Sequence, residues 1–452
     1  MSDTNKSLEG LKTEGDINLS PHRNKWSADN IHAKTRQTLE SDSEVFLHQS
    51  LSTPCLNVIK SASGASFEDT EGRRYLDFHG NNVHNVGFAH PRVVAAIKAQ
   101  LDKLSFCTRR YTCEPAIALA EKLVQIAPNG LDRVLLAPGG TTAIGMALKL
   151  ARVATGRFKF VSMWDSFHGA SLDAISVGGE AVFRKDIGPL LPGCEHVPPA
   201  DNRHCPFKCG ASCSLACADY IDYVLEKEGD VAAVIGETIR SIPFIPPPDY
   251  WKRIRASCDK HGALLILDEI PMGLGRTGKM FACEHYDVVP DILVVGKGLG
   301  GGIMPIAAML CREALNVAQH TALGHYTHEK NPVACAAALA TLQVIEEEHL
   351  VDNARKLGQY ALERLREMAK RQPLIGDVRG LGLILGVELL KDKAKLIPAR
   401  DEAERVMYNS LSGGLNFKIT QGNILTLTPA LTLTQAEMDQ ALAILERAIA
   451  NA

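Results

Sequence analysis

Four short apolar runs, "FKFVSM" (158–163), "DVAAVIGE" (230–237), "GALLILDEI" (262–270) and "DILVVGK" (291–297), constrain this chain most. Each is too short to be a buried helix, is rich in β-branched or aromatic residues, and is apolar on both faces rather than alternating. Helical or loop segments separate them. Continuous apolar strands alternating with helices make a parallel sheet covered on both faces. The same rhythm begins upstream in "LDRVLLAPGGTTAIGMALKLARVATG" (131–156), a strand, a Gly-Gly-Thr-Thr turn and a helix predicted to end at Gly156. After about residue 345 the pattern changes. "HLVDNARKLGQYALERLREMA" is a long amphipathic helix and "VRGLGLILGVEL" a strand pair. "TQAEMDQALAILERAIANA" is a helix opened by a capping box of Thr434 and Glu437. An α/β fold with a smaller α+β domain is expected. Near the start, "ASFEDTEGRRYLDF" (65–78) reads as two short strands around a turn.

The last of the four runs continues as "PDILVVGKGLGGGIMP" (290–305), which puts one lysine, Lys297, in apolar surroundings and follows it with glycines. A membrane span from Ile292 to Cys311 would carry that lysine near mid-span, at about 2.5–3.5 kcal/mol, with glycines and a proline in its centre. That reading is set aside. A salt-bridged structural lysine and a reactive amine kept dry remain. With 46% AVILMFWYC, 22% charged residues and a formal net charge of −3, nothing points to nucleic acid or an anionic membrane. The polar first thirty residues hold no signal-peptide core and are expected to form a mobile or partner-draped arm. The twelve cysteines follow no secreted-domain framework, so reduced thiols and a cytoplasmic location are expected.

In open α/β sheets ligands bind beyond the carboxyl ends of the strands. "PGGTTA" (138–143) turns from a strand into a helix N-terminus, where the N–H groups of Gly140 and Thr141 suit a phosphate, or form a plain turn with a Thr cap. Asp268 ends a buried strand, where a carboxylate needs a partner. "DSFHG" (165–169) offers the ring of Phe167, and His168, at another strand end, positions that by themselves are more often core than a cofactor shelf. Together with Lys297 these are the parts pyridoxal phosphate requires. They are a phosphate cradle, a flat ring surface, a carboxylate to keep the pyridinium protonated and an amine for the aldehyde.

At these residues the chain resembles the class III aminotransferase family of fold-type I pyridoxal phosphate enzymes. The resemblance runs from "GASFEDTEGRRYLDF" to the C-terminal helix and is densest in "LDEIPMGLGRTGKMFACEHYDVVPDILVVGKGLGGGIMP" (267–305). It implies the fold-type I architecture, with a mostly parallel seven-stranded sheet. The expected organisation is an arm over 1–40, the N-terminal part of a small domain over 41–95, a large cofactor-binding domain over 96–345 and a C-terminal small domain over 346–452. It implies that Lys297 is the catalytic lysine and Asp268 the pyridinium partner. Phe167 would stack on the ring and Gly140 and Thr141 would bind the phosphate. In "HYTHEKNPVACAAALA", Thr327 would reach the phosphate of a neighbouring subunit, which implies a homodimer or a dimer of dimers.

The departures from the family pattern bear on the reaction. Ile270-Pro271 stands where aminotransferases have Val-Gln, Gly139–Ala143 lacks the usual glutamate, and Thr426 in "ILTLTPAL" occupies the place of the arginine that holds 2-oxoglutarate. Losing that bidentate contact disfavours a dicarboxylate. "GNNVHNVGFAHP" (80–91) and "TRRYT" (108–112) resemble stretches of the group's amine phospho-lyases. By that match Asn82 and Arg110 are substrate contacts, although Arg110 in an Arg pair is as readily a surface residue. The resemblance thus implies a carbon–nitrogen lyase releasing ammonia from a hydroxylated aminoalkylphosphonate, with transamination of an ω-amine or phospho-elimination as alternatives.

Two other motifs are set lower. "GLGRTG" (273–278) satisfies G-x-G-x-x-G but is separated from its strand and opens no convincing helix, so it does not read as a dinucleotide site. Cys205, Cys209, Cys213 and Cys217 recur at a spacing of four; along a helix this is a stripe rather than a tetrahedron. A buried thiol stripe or interface insert is expected and no metal, with a metal-binding regulator as the remote alternative.

Overall fold

The computed structural model describes residues 20–201, 203–209 and 212–452. It separates into two compact units, His90–Asp352 and a smaller one made of the chain up to Ala89 with Asn353–Ala452. These boundaries place the helix Pro91–Lys103 in the larger unit, where it packs against the helix Pro332–Glu347.

The larger unit is built on a seven-stranded sheet. Its strands are β1 (Arg133–Ala137), β2 (Lys159–Met163), β3 (Cys194–Val197), β4 (Val231–Glu237), β5 (Leu264–Asp268), β6 (Ile292–Val295) and β7 (Ala307–Cys311). The spatial order is β1-β7-β6-β5-β4-β2-β3. β7 is antiparallel to both neighbours and the other pairings are parallel. Every residue of β4, β6 and β7 is buried, as the unbroken apolar runs require. The core beneath includes Ile144, Met146, Ala147, Ile235, Ile266 and Val294. The helix Gly140–Thr155 ends where Gly156 takes φ 67°, a left-handed C-cap that glycine adopts without a Cβ penalty.

In the smaller unit, Ile59–Ser63, Ser66–Asp69 and Arg74–Asp77 form an antiparallel meander, and Leu415–Asn416 adds to it in parallel. A second sheet carries the expected pair Ile375–Leu381 and Ile384–Asp392. The C-terminal helix Gln435–Ala450 opens with the expected capping box. Residues 1–19 of the expected arm lie outside the described residues. From Ser20 onward the arm reading is corrected. Pro21–Asn30 and Ala33–Val45 are helices, and Trp26 lies buried in a cluster with Ile31, Tyr75, Tyr408 and Leu411. Its indole Nε1 donates to Ser412 Oγ at 3.1 Å. A polar helix held by one aromatic anchor has no apolar periodicity to reveal it.

No helix of the described residues is long and apolar enough to cross a membrane.

Candidate active site

β4, β5 and β6 lie side by side and end in register, Glu237 opposite Asp268 and Asp268 opposite Val294. Their carboxyl ends therefore share one edge, and Lys297 lies just past the end of β6, half-buried, with φ 45°. A left-handed lysine is uncommon and persists only where surrounding structure fixes it. Gly296, before it, is closely packed: a Cβ there would meet Ala307 at 3.2 Å and Ile270 at 3.4 Å.

Asp268 is 1% exposed. Its Oδ1 accepts the backbone N–H of Ile270 at 3.0 Å and its Oδ2 accepts Nδ1–H of His168 at 2.8 Å. The partner that a buried carboxylate requires is therefore His168. A carboxylate offers no proton to its neighbour, so Nδ1 is the donor and the tautomer is fixed. The opposite nitrogen, His168 Nε2, is buried without a hydrogen-bond partner.

The glycine turn lies in the same neighbourhood. Gly139 precedes the helix in extended backbone, and a Cβ on it would meet nothing within 4 Å. Thr142 Oγ1 turns back to Gly139 O at 2.7 Å, leaving the amides of Gly140 and Thr141 among the first-turn donors that have no helical acceptor. A Cβ on Gly140 would come 2.9 Å from Ile270 Cδ1, and one on Gly169 would come 2.4 Å from Thr141 Oγ1. Ile270 therefore touches both the Gly140 turn and the glycine before Lys297, while Gly169 brings the His168 loop onto Thr141.

Phe167 is half-buried, its ring 4.4 Å from that of Phe183, and its N–H donates to Glu237 Oε1 at 3.0 Å. The structure thus brings Gly140, Thr141, Phe167, Asp268 and Lys297 onto one edge of the sheet. Thr327 and Arg110 lie in exposed, irregular segments of the same unit. Asn82 belongs to the smaller unit, where Gly80, Asn81 and Asn82 form a left-handed run (φ 44°, 46° and 59°) and Asn82 Oδ1 is buried without a partner. Thr426 is buried in the same unit, and its hydroxyl is satisfied by Thr420 Oγ1 at 2.8 Å.

Sequence reasoning placed His168 beside the ring without giving it to Asp268, although the need for a partner was legible. It missed Glu269 altogether. That carboxylate is fully buried and accepts the N–H groups of Ala282 and Cys283, each at 2.6 Å, and the Thr238 hydroxyl at 3.0 Å. Burial nevertheless pushes its carboxyl up to about 7. "GLGRTG" forms turns after β5 and opens no helix. The cysteine stripe is corrected: Cys205, Cys209 and Cys213 lie in irregular backbone, and only Cys217 enters the helix Ala216–Glu228. The intervening prolyl turn and the left-handed Lys208 break the helical register that a stripe needs. Among the described residues no group of His, Cys, Asp or Glu could hold a metal ion.

The aminotransferase class-III family model matches residues 48–449, and the chain belongs to that family. The family works with pyridoxal 5′-phosphate, and the residues present fit it: an open glycine turn at a helix start, a sealed Asp–His pair and a half-buried lysine on one edge. Among curated relatives, "(R)-1-hydroxy-2-aminoethylphosphonate ammonia-lyase" of Vibrio splendidus is 49% identical, covering 98% of this chain and 95% of its own. Leucine/methionine racemase of Thermococcus litoralis is 40% identical over 92% of this chain and 96% of its own. The solved structure of an amine transaminase from an uncultivated Pseudomonas species, in its PLP-bound form, matches with a TM-score of 0.83 and 33% identity, covering 90% of this chain and 98% of that one.

Proposed function

We propose that this enzyme is a pyridoxal phosphate-dependent ammonia-lyase that converts (R)-1-hydroxy-2-aminoethylphosphonate to phosphonoacetaldehyde and ammonia. The 49% identity to the Vibrio ammonia-lyase, spanning nearly all of both chains, carries this reading. Thr426 supports it, because a hydroxyl already satisfied within its own sheet cannot replace an arginine as a dicarboxylate clamp.

Gly140 and Thr141 would hold the cofactor's phosphate, Phe167 its ring face, Asp268 its ring nitrogen and Lys297 its aldehyde. When bound, pyridoxal phosphate supplies an aldehyde that captures an amine and a protonated ring that takes up electron density. Asp268 keeps the proton on the ring nitrogen, and His168 holds the carboxylate in place for that task. The Lys297 amine would remove a proton from the substrate carbon that bears nitrogen. The same amine then returns a proton to the hydroxyl leaving the neighbouring carbon, which departs as water. Water re-enters at the aminated carbon and ammonia is released. Arg110 would clamp the phosphonate through a charge-assisted contact; Asn82, in the smaller unit, has a buried Oδ1 without a donor, an acceptor that a polar ligand would satisfy.

We further propose a homodimer or dimer of dimers. Leu101, Leu104, Phe106, Tyr111 and Ile117 are exposed on and between two helices consecutive in the chain, apolar side chains that a partner subunit would cover. Thr327, exposed nearby in sequence to the helix at Pro332, would complete a partner's phosphate site. We also propose a cytoplasmic location.

The deciding experiment supplies the aminohydroxyphosphonate to holoenzyme with no keto acid present. Stoichiometric ammonia and phosphonoacetaldehyde are expected. Product that forms only when pyruvate or 2-oxoglutarate is added makes the enzyme an aminotransferase, and release of inorganic phosphate from phosphoethanolamine, offered in a parallel assay, makes it a phospho-lyase.

A further inference from the structure

The cysteines that the proposed reaction leaves unused sit in a built arrangement. Cys205 begins a turn in which the Lys208 N–H donates to Cys205 O at 3.0 Å, with Pro206 at the position where its fixed φ favours turning. Lys208 then adopts φ 54°, a left-handed step that returns the chain on itself. The turn thereby brings the Cys205 side chain within interaction range of the Cys209 sulfur. Ser214 Oγ also lies 3.2 Å from Cys209 Sγ. Ser214 is tethered in turn, its carbonyl accepting Arg253 Nη1 at 3.2 Å, and Phe207 packs on Tyr220 with centroids 5.9 Å apart. Two thiols from one short loop are thus held together over a fixed helix.

We propose that Cys205 and Cys209 are a peroxide-reactive dithiol that closes to a disulfide. Cys209 is the attacking sulfur. The Ser214 hydroxyl and the backbone amides of Ser214 and Ala216 bring its thiol down to about 7, which favours the thiolate, while burial pushes Cys217 up to about 11. The thiolate attacks one oxygen of hydrogen peroxide, the O–O bond breaks and a sulfenic acid forms with loss of hydroxide, which leaves as water once protonated. The Cys205 sulfur then attacks the Cys209 sulfur, an S–S bond forms, and the sulfenic oxygen leaves as a second water with the Cys205 proton. In total the two sulfurs give up two electrons and the peroxide takes them. The loop permits this because it is irregular backbone with both sulfurs only half-buried, where the expected helical stripe would have held the thiols one turn apart.

The test uses full-length holoenzyme treated with hydrogen peroxide, then alkylated and digested with trypsin without reductant. Cleavage after Lys208 separates the two cysteines, so the disulfide joins peptide 204–208 to the peptide that begins at Cys209, and reductant frees them. Cys205→Ser and Cys209→Ser abolish the joined species and Cys213→Ser retains it. Iodoacetamide at pH 7 labels Cys209 at least about tenfold faster than the exposed Cys55, and Ser214→Ala narrows that ratio. Free thiols after peroxide, a link that survives Cys209→Ser, or labelling of Cys209 no faster than Cys55 would overturn the proposal.

Discussion

His168 Nδ1 donates to Asp268 Oδ2 at 2.8 Å, and both side chains are closed to solvent. The imidazole therefore orients a carboxylate whose other oxygen is already taken by the Ile270 N–H. Removing such a supporting partner typically lowers activity about 10–100-fold. His168→Phe is expected to lower kcat by that factor with little change in KM, and His168→Gln, which keeps a donor, to recover part of it. Asp268→Asn should fall further. Steady-state kinetics on cofactor-saturated protein checks the order.

Lys297→Ala should lower turnover by at least about 10³-fold, the loss of a positioned proton-transfer group. Borohydride treatment followed by peptide mapping should fix cofactor to the peptide containing Lys297 in the wild type and to none in the variant. Because position 297 has φ 45°, Lys297→Gly is a second variant that relieves the backbone. Both should be inactive while folded; native-rate turnover by either defeats the assignment of Lys297.

Gly169→Ala tests the joint between the Phe167–His168 loop and the Gly140–Thr141 turn. Its Cβ would lie 2.4 Å from Thr141 Oγ1 at a φ of 135°, so the loop or Thr141 must shift. Weaker cofactor retention on dialysis is expected, with near-normal melting once cofactor is restored in excess. Equal retention in both proteins would show that Thr141 does not hold the phosphate.

Glu269 gives a pH prediction with a definite sign. Burial lifts its carboxyl from 4.5 to about 7, so the folded state binds that proton more tightly than the unfolded chain. Its contribution is full below the unfolded value and is lost as pH rises through about 7, a difference on the order of 3 kcal/mol. Thermal stability should decline between about pH 5 and pH 8, and the decline should flatten in Glu269→Gln.

Trp26→Ala should destabilise the smaller unit by about 3–5 kcal/mol, through the lost burial and the orphaned Ser412 hydroxyl. Denaturant titration followed at a probe in that unit measures it. A loss under about 1 kcal/mol would mean that the helix Pro21–Asn30 is not anchored there.

The sheet was legible because strands buried on both faces write themselves as unbroken apolar runs, and Asp268 and Lys297 stood out as charges at the ends of two of them. His168 was named but its partner was not, since hydrogen bonds between strand ends distant in sequence leave no local trace. Glu269 was hidden for the same reason, its donors lying in the backbone of residues 282 and 283. The cysteines misled in the opposite direction. Their even spacing imitated a helix face, whereas Pro206 and the left-handed Lys208 fold that stretch as a loop. The arm was misread from Ser20 onward because a single tryptophan, not a periodic face, fastens it.

The parallel pairing of Arg74–Asp77 with Leu415–Asn416 gives the smaller unit a timetable during synthesis. Its earliest strands leave the ribosome long before the segment that completes their sheet, while the whole of the larger unit is made in between. The N-terminal hairpin must therefore stay unsatisfied through most of translation, and truncated chains that end before residue 415 would expose the edge of Arg74–Asp77 to association.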